Sequence, residues 1–149
     1  MTKTTIIAAM ALLAAALFTG CQTGTKTGTL ASVIITNQPM SAISQAVDAV
    51  LVSHGYSGGR VGPGQFAYQR TGTRSDNVAY NNYTFDEIVT IRLVVVINKI
   101  DAGSTLVGCD AWLIEGADDP VFGDSHQVRH LRKWPYQQLL RDIQTQLGQ

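Results

Sequence analysis

Glu87-Ile88-Val89-Thr90-Ile91-Arg92-Leu93-Val94-Val95-Val96-Ile97-Asn98-Lys99-Ile100 is rich in β-branched residues, and its odd positions from Val89 to Ile97 are all apolar. A period of two with this composition predicts a strand that buries one face. Asp101-Ala102-Gly103 follows and suits a three-residue hairpin loop in which glycine takes the left-handed conformation and forms a bulge. Such a loop pairs Ile100 with Ser104. Counting back sets Ile97 beside Val107, Val95 beside Cys109, Leu93 beside Ala111 and Ile91 beside Leu113. On that face large residues meet small ones, as a layer of helices above requires. The opposite face carries Arg92 beside Trp112, Val94 beside Asp110 and Thr90 beside Ile114. A two-residue loop would instead set Asp110 against Val95 in the core, a costly place for an unpaired carboxylate.

Upstream, Ala31 to Thr36 is a short β-branched run that predicts another strand. Asn37 and Pro39 signal a helix start, and Met40, Ile43, Val47, Val50, Leu51 and His54 recur at helical spacing until Gly55 closes the element. The glycine-rich stretch Tyr56 to Gln65 predicts a loop and Phe66 to Thr73 a strand, followed by a polar segment to Asp86. Ala117 to Asp124 is an acidic loop. Trp134-Pro135 then opens a final helix in which Tyr136, Leu139, Leu140, Ile143 and Leu147 form one apolar stripe. The order strand, helix, three strands, helix predicts an α+β two-layer sandwich. Its sheet is four-stranded and mostly antiparallel, with both helices on one face.

The start of the chain carries an address. Lys3 precedes an apolar run from Ile6 to Phe18, whose 13 residues fall short of the roughly 20 that span a bilayer core. An export segment over residues 1–20 is the expected reading. Leu17-Phe18-Thr19-Gly20-Cys21 resembles the lipobox of bacterial lipoproteins, with Phe18 where leucine is usual, and the likeness covers residues 1–21. It implies that the Cys21 thiol receives a diacylglyceryl group, that a signal peptidase cuts before it and that the freed amine is acylated. Several acyl chains, at about 0.8 kcal/mol per buried methylene, hold firmly where one does not. An ordinary secretory signal cut near Gly20 is the plainer alternative. Residues 21–30 then read as lipidated cysteine and flexible tether, alternating threonine with glycine or lysine and reaching about 30 Å when extended. Gln22 is not the aspartate that in many Gram-negative lipoproteins marks inner-membrane retention, so the resemblance implies the outer membrane facing the periplasm in such a host. The element order is also similar to that of lipoprotein subunits of envelope assembly machines, among them the lipoprotein partner of the outer-membrane lipopolysaccharide translocon. That likeness of topology implies no function by itself.

Removing the first 20 of 149 residues leaves 129, enough for one domain over 31–149. Eleven Lys and Arg balance eleven Asp and Glu, and loss of Lys3 leaves ten. A nucleic-acid binder would carry a basic excess, so nucleic acid is not an expected partner. With Cys21 lipidated, Cys109 has no thiol to pair with, and its place in an apolar strand makes it a small buried hydrophobe.

No residues stand at a spacing that demands catalysis, and no cofactor is expected. Gly55, Gly58, Gly59, Gly62 and Gly64 with Arg60 suggest a phosphate cradle, yet they follow a helix C-terminus, whose dipole repels anions, and GxxxxGK[ST] is missing. His126 and His130 near Asp124 lack a third zinc ligand, and Asp118, Asp119 and Asp124 match no calcium loop. Ser53 and His54 are adjacent on a helix and do not face each other. Arg129, Arg132 and Lys133 form a small basic cluster of the kind common on soluble surfaces. What remains is the sheet face away from the helices, where Arg92, Val94, Asp110, Trp112 and Ile114 combine an aromatic, an arginine and aliphatics as binding hot spots do. The expected function is a lipid-anchored envelope protein that touches the membrane through Cys21 and docks an envelope protein or cell-wall component through this face. The alternative is a small lipid-anchored enzyme or ligand-binding domain using loops 56–65 and 117–130.

Overall fold

A computed structural model describes residues 29–79, 89–115, 125–128 and 132–149. The export segment, Cys21 and the acidic 117–124 stretch lie outside the described residues. The elements are β1 (Ala31–Thr36), α1 (Met40–Ser53), β2 (Ser57–Gly62), β3 (Gln65–Thr71), α2 (Arg74–Ala79), β4 (Thr90–Lys99), β5 (Ser104–Ile114), β6 (Ser125–Gln127) and α3 (Trp134–Gln146). They build one antiparallel sheet in the order β1-β5-β4-β3-β2, with β6 joining β5 beyond β1. The class is therefore the expected α+β, and the described residues hold six strands where four were predicted and three helices where two were.

The central hairpin has the register read from its loop: Ile97 pairs Val107, Val95 pairs Cys109, Leu93 pairs Ala111 and Ile91 pairs Leu113. These residues are all buried, together with Phe66 and Tyr68 of β3 and Val33 and Ile35 of β1. Helix α1 adds Ile43, Ala46, Val47, Val50 and Leu51 to the core, and α3 adds Tyr136, Leu139, Leu140 and Ile143. Met40, counted with the apolar stripe of α1, is 42 % exposed at the helix start. Both long helices end alike. Gly55 (φ 80°) and Gly148 (φ 74°) take the left-handed conformation, and paired N–H groups return to the last turn, Tyr56 to the Leu51 carbonyl and Gln149 to that of Gln144.

Three local expectations are corrected. Gly103 is not left-handed; at this end of the sheet that conformation falls to Asn37, at φ 52°. The Asp101 carboxylate accepts the Gly103 N–H at 2.8 Å, and the Gly103 carbonyl accepts the Asn37 N–H at 2.8 Å, so the loop is tied to the end of β1. The glycine-rich stretch is a hairpin rather than a loop. Pro63 and Gly64 (φ 64°) turn the chain between β2 and β3. A Cβ on Gly58 would sit 2.1 Å from the Ala67 carbonyl oxygen, so glycine there permits close strand approach and is no sign of irregular backbone. The polar stretch after β3 holds α2.

The two sheet edges are treated differently. On β1 the carbonyls of Ser32 and Ile34 accept side-chain N–H groups of Gln137 and Gln144, each at 2.9 Å. The Gln149 side chain bonds both the N–H and the carbonyl of Thr36. Glutamines of α3 and the chain end thus occupy the outward backbone groups of that edge, a cover that stops further strand pairing.

Candidate functional site

Arg92, Val94, Asp110, Trp112 and Ile114 lie together on the sheet face that carries none of the described helices, hereafter the helix-free face, with Arg92 beside Trp112, Val94 beside Asp110 and Ile114 beside Thr90. Arg92 is exposed and the other four are half-buried. β3 continues the surface with Gln69 beside Arg92 and Ala67 beside Val94. β1 contributes Ile34, an isoleucine 52 % exposed.

Asp110 has a task of its own. Its carboxylate accepts the backbone N–H of Leu30 at 2.9 Å. Next to it a Cβ on Gly108 would lie 2.5 Å from Thr29 Cγ2, so the absence of a side chain makes room for Thr29. The chain therefore joins the domain across the helix-free face, and Leu30 then turns into the core at 4 % exposure. The sequence carried one signal of this: Gly108 stands between Leu106 and Asp110 on a face that otherwise bears side chains.

A concave region, absent from the sequence reading, opens where α1 ends and α3 begins. It is a cleft of about 280 Å³ with a floor of Tyr56, Tyr136 and Leu139. Trp134 forms the rim at 71 % exposure, and is the tryptophan that stands in solvent. Arg70 lies over the Tyr56 ring, 5.3 Å from its centroid, and forks onto Asp76 at 3.0 and 3.4 Å. Thr73 and Asp76 cap α2 reciprocally: the Asp76 N–H donates to the Thr73 hydroxyl, and the Thr73 N–H to the Asp76 carboxylate at 2.7 Å. On the other wall His54 meets Asp142 at 3.2 Å, while Gln138 donates to the same carboxylate at 3.0 Å. The Asp76 carboxylate is held by Arg70 and Thr73 and that of Asp142 by His54 and Gln138, so the cleft offers an aromatic floor and ordered polar walls.

Burial alone would raise the Asp76 pKa, but the Thr73 backbone N–H, Arg70 and the Thr73 hydroxyl outweigh it and hold the group below its ordinary 3.8. A carboxyl depressed on folding stabilises above its unfolded pKa, and that contribution disappears as pH falls through the folded value. Asp76→Ala is therefore expected to lose about 1 kcal/mol at neutral pH, as capping losses do. The gap to wild type should close below pH 3.8. Urea melts from pH 7 to 3 measure this, and a gap independent of pH would contradict the assignment.

The remaining chemistry-bearing residues are placed as follows. Burial pushes the Cys109 thiol up to about 12, with the Asp110 charge adding to it, so it is a core residue and not a nucleophile. The Ser53 hydroxyl donates to the Val50 carbonyl and His54 turns to Asp142, so they form no dyad. His126 lies in strand β6; His130, Arg129, Asp118, Asp119 and Asp124 are outside the described residues. Among the described residues no three His, Cys, Asp or Glu side chains gather as a metal site requires, and no helix is long and apolar enough to cross a membrane. No known family matches the chain, and no characterised protein matches it.

Proposed function

We propose that this chain is a cell-envelope lipoprotein, anchored by acyl groups on Cys21, whose domain is a non-enzymatic binding module. It docks an envelope protein or cell-wall component through the helix-free face bearing Arg92, Val94, Asp110, Trp112 and Ile114. In a Gram-negative host the anchor sits in the outer membrane and the domain faces the periplasm. The observation that carries this reading is the path of the chain: Thr29 and Leu30 cross the same face. Thr29 lies eight positions after Cys21, a span of at most about 30 Å. The docking face is thus tethered near the bilayer, where a membrane-associated partner is met.

Trp112→Ala tests the face. Trp112 is half-buried on the surface away from the core, so the variant is expected to keep nearly the wild-type melting temperature. Capture of the envelope partner from native membranes should fall about tenfold or more, the loss typical of a central aromatic anchor. A large drop in melting temperature with unaltered capture would rule this face out.

A further inference from the structure

We propose that the outer edge of β2 pairs with β2 of a second copy of this chain, giving a closed two-fold dimer whose sheet runs through both subunits. This goes beyond the docking reading and does not depend on it. β2 ends the strand order with β3 as its neighbour. Its Ser57, Gly58, Arg60 and Val61 are exposed, Val61 to 66 %. Among the described residues, the one side chain that reaches the β2 backbone is that of Arg60, which donates to the Gly62 carbonyl at 3.1 Å; the Ser57 hydroxyl turns inward and donates to the Gln69 carbonyl of β3. An edge left in this state is a template for strand addition. The β1 edge, by contrast, is occupied by Gln137, Gln144 and Gln149. Pairing of β2 with β2 about a two-fold axis uses up the open edge of both subunits, so addition stops at two and does not propagate into a fibre.

The β2 sequence, Ser57-Gly58-Gly59-Arg60-Val61-Gly62, suits pairing with itself. A two-fold axis normal to a sheet leaves each side chain on its own face, so an antiparallel self-pair is centred on a residue and not between two. Centred on Gly59, it sets Arg60 opposite the partner's Gly58, large against small, and the regular pairing ends at the bulge between Arg60 and Gly62 that takes Val61 out of register. Centred on Arg60, it would set two guanidinium groups directly opposite each other, which is destabilising. Centred on Gly58, it would run past the start of the strand and set Arg60 against the partner's Tyr56, which is buried. Gly59 is therefore the axis.

Gly59→Cys in the full chain, oxidised mildly in native membranes and run on a non-reducing gel, tests this. A Cβ at Gly59 meets nothing within 4 Å, so the substitution fits the fold. Directly opposed Cα atoms lie about 4.5 to 5.5 Å apart, inside the disulfide range, and most of the variant is expected as a covalent dimer of two identical chains. Val61→Cys should stay monomeric, because residue 61 sits four residues, about 13 Å, from its counterpart. Ile34→Cys on the sealed edge should stay monomeric too. A folded Gly59→Cys that does not cross-link, an adduct to a different protein, or equal cross-linking by Ile34→Cys overturns the proposal. Sedimentation of the wild-type chain in detergent gives an independent reading: two chains per particle are expected, and one chain overturns it.

Discussion

Leu93→Ala is expected to destabilise the domain by about 2 to 5 kcal/mol. Leu93 is 1 % exposed at the middle of β4, with Tyr68 as its partner on β3 and Ala111 on β5. Ala111 is small, so the leucine fills the space above both. Strands on either side hold β4 in register, and the walls of the resulting cavity cannot collapse inward. The penalty therefore combines lost transfer energy with an unfilled void. Val94→Ala, one residue along and on the helix-free face, is the matched control and should cost less than about 1 kcal/mol. Urea unfolding of both variants measures the difference. A midpoint for Leu93→Ala equal to wild type, with the loss at Val94→Ala instead, would mean that the helices cover the other face.

The hairpin was legible because a period of two, a polar loop and one misplaced aspartate leave a single register that buries no charge. The two long helices were legible because their apolar stripes, the closing Gly55 of the first and the opening Trp134-Pro135 of the second are local signals. β2 was not, because Gly58, Gly59 and Gly62 read as a loop until the strand beside them is known, and Gly58 lies close to the Ala67 backbone. β6 is three residues long, exposed, and held by β5, so nothing local marks it. Of the helix-free face, the membership of all five residues followed from register alone. What Asp110 does there did not, since its partner Leu30 lies 80 residues away. The cleft was missed for the same reason: His54, Arg70, Asp76 and Trp134 come from four separate stretches, and each looks ordinary within its own.

Cys21→Ser is expected to abolish acylation altogether, because serine offers no thiol to the diacylglyceryl donor. The lipobox-like Leu17-Phe18-Thr19-Gly20-Cys21 then directs no lipoprotein processing, and the chain stays unprocessed or is released unlipidated. The domain itself should fold normally, since Leu30 and the residues after it make the core and Cys21 lies eight residues before Thr29. Loss of the membrane-bound fraction should therefore occur without a change in melting temperature. Metabolic labelling of wild type and Cys21→Ser with a fatty acid is the direct measurement. Label on the wild-type chain that vanishes in the variant is the expected result; label that persists in Cys21→Ser, or a wild-type chain that takes up none, would contradict a lipid-anchored protein.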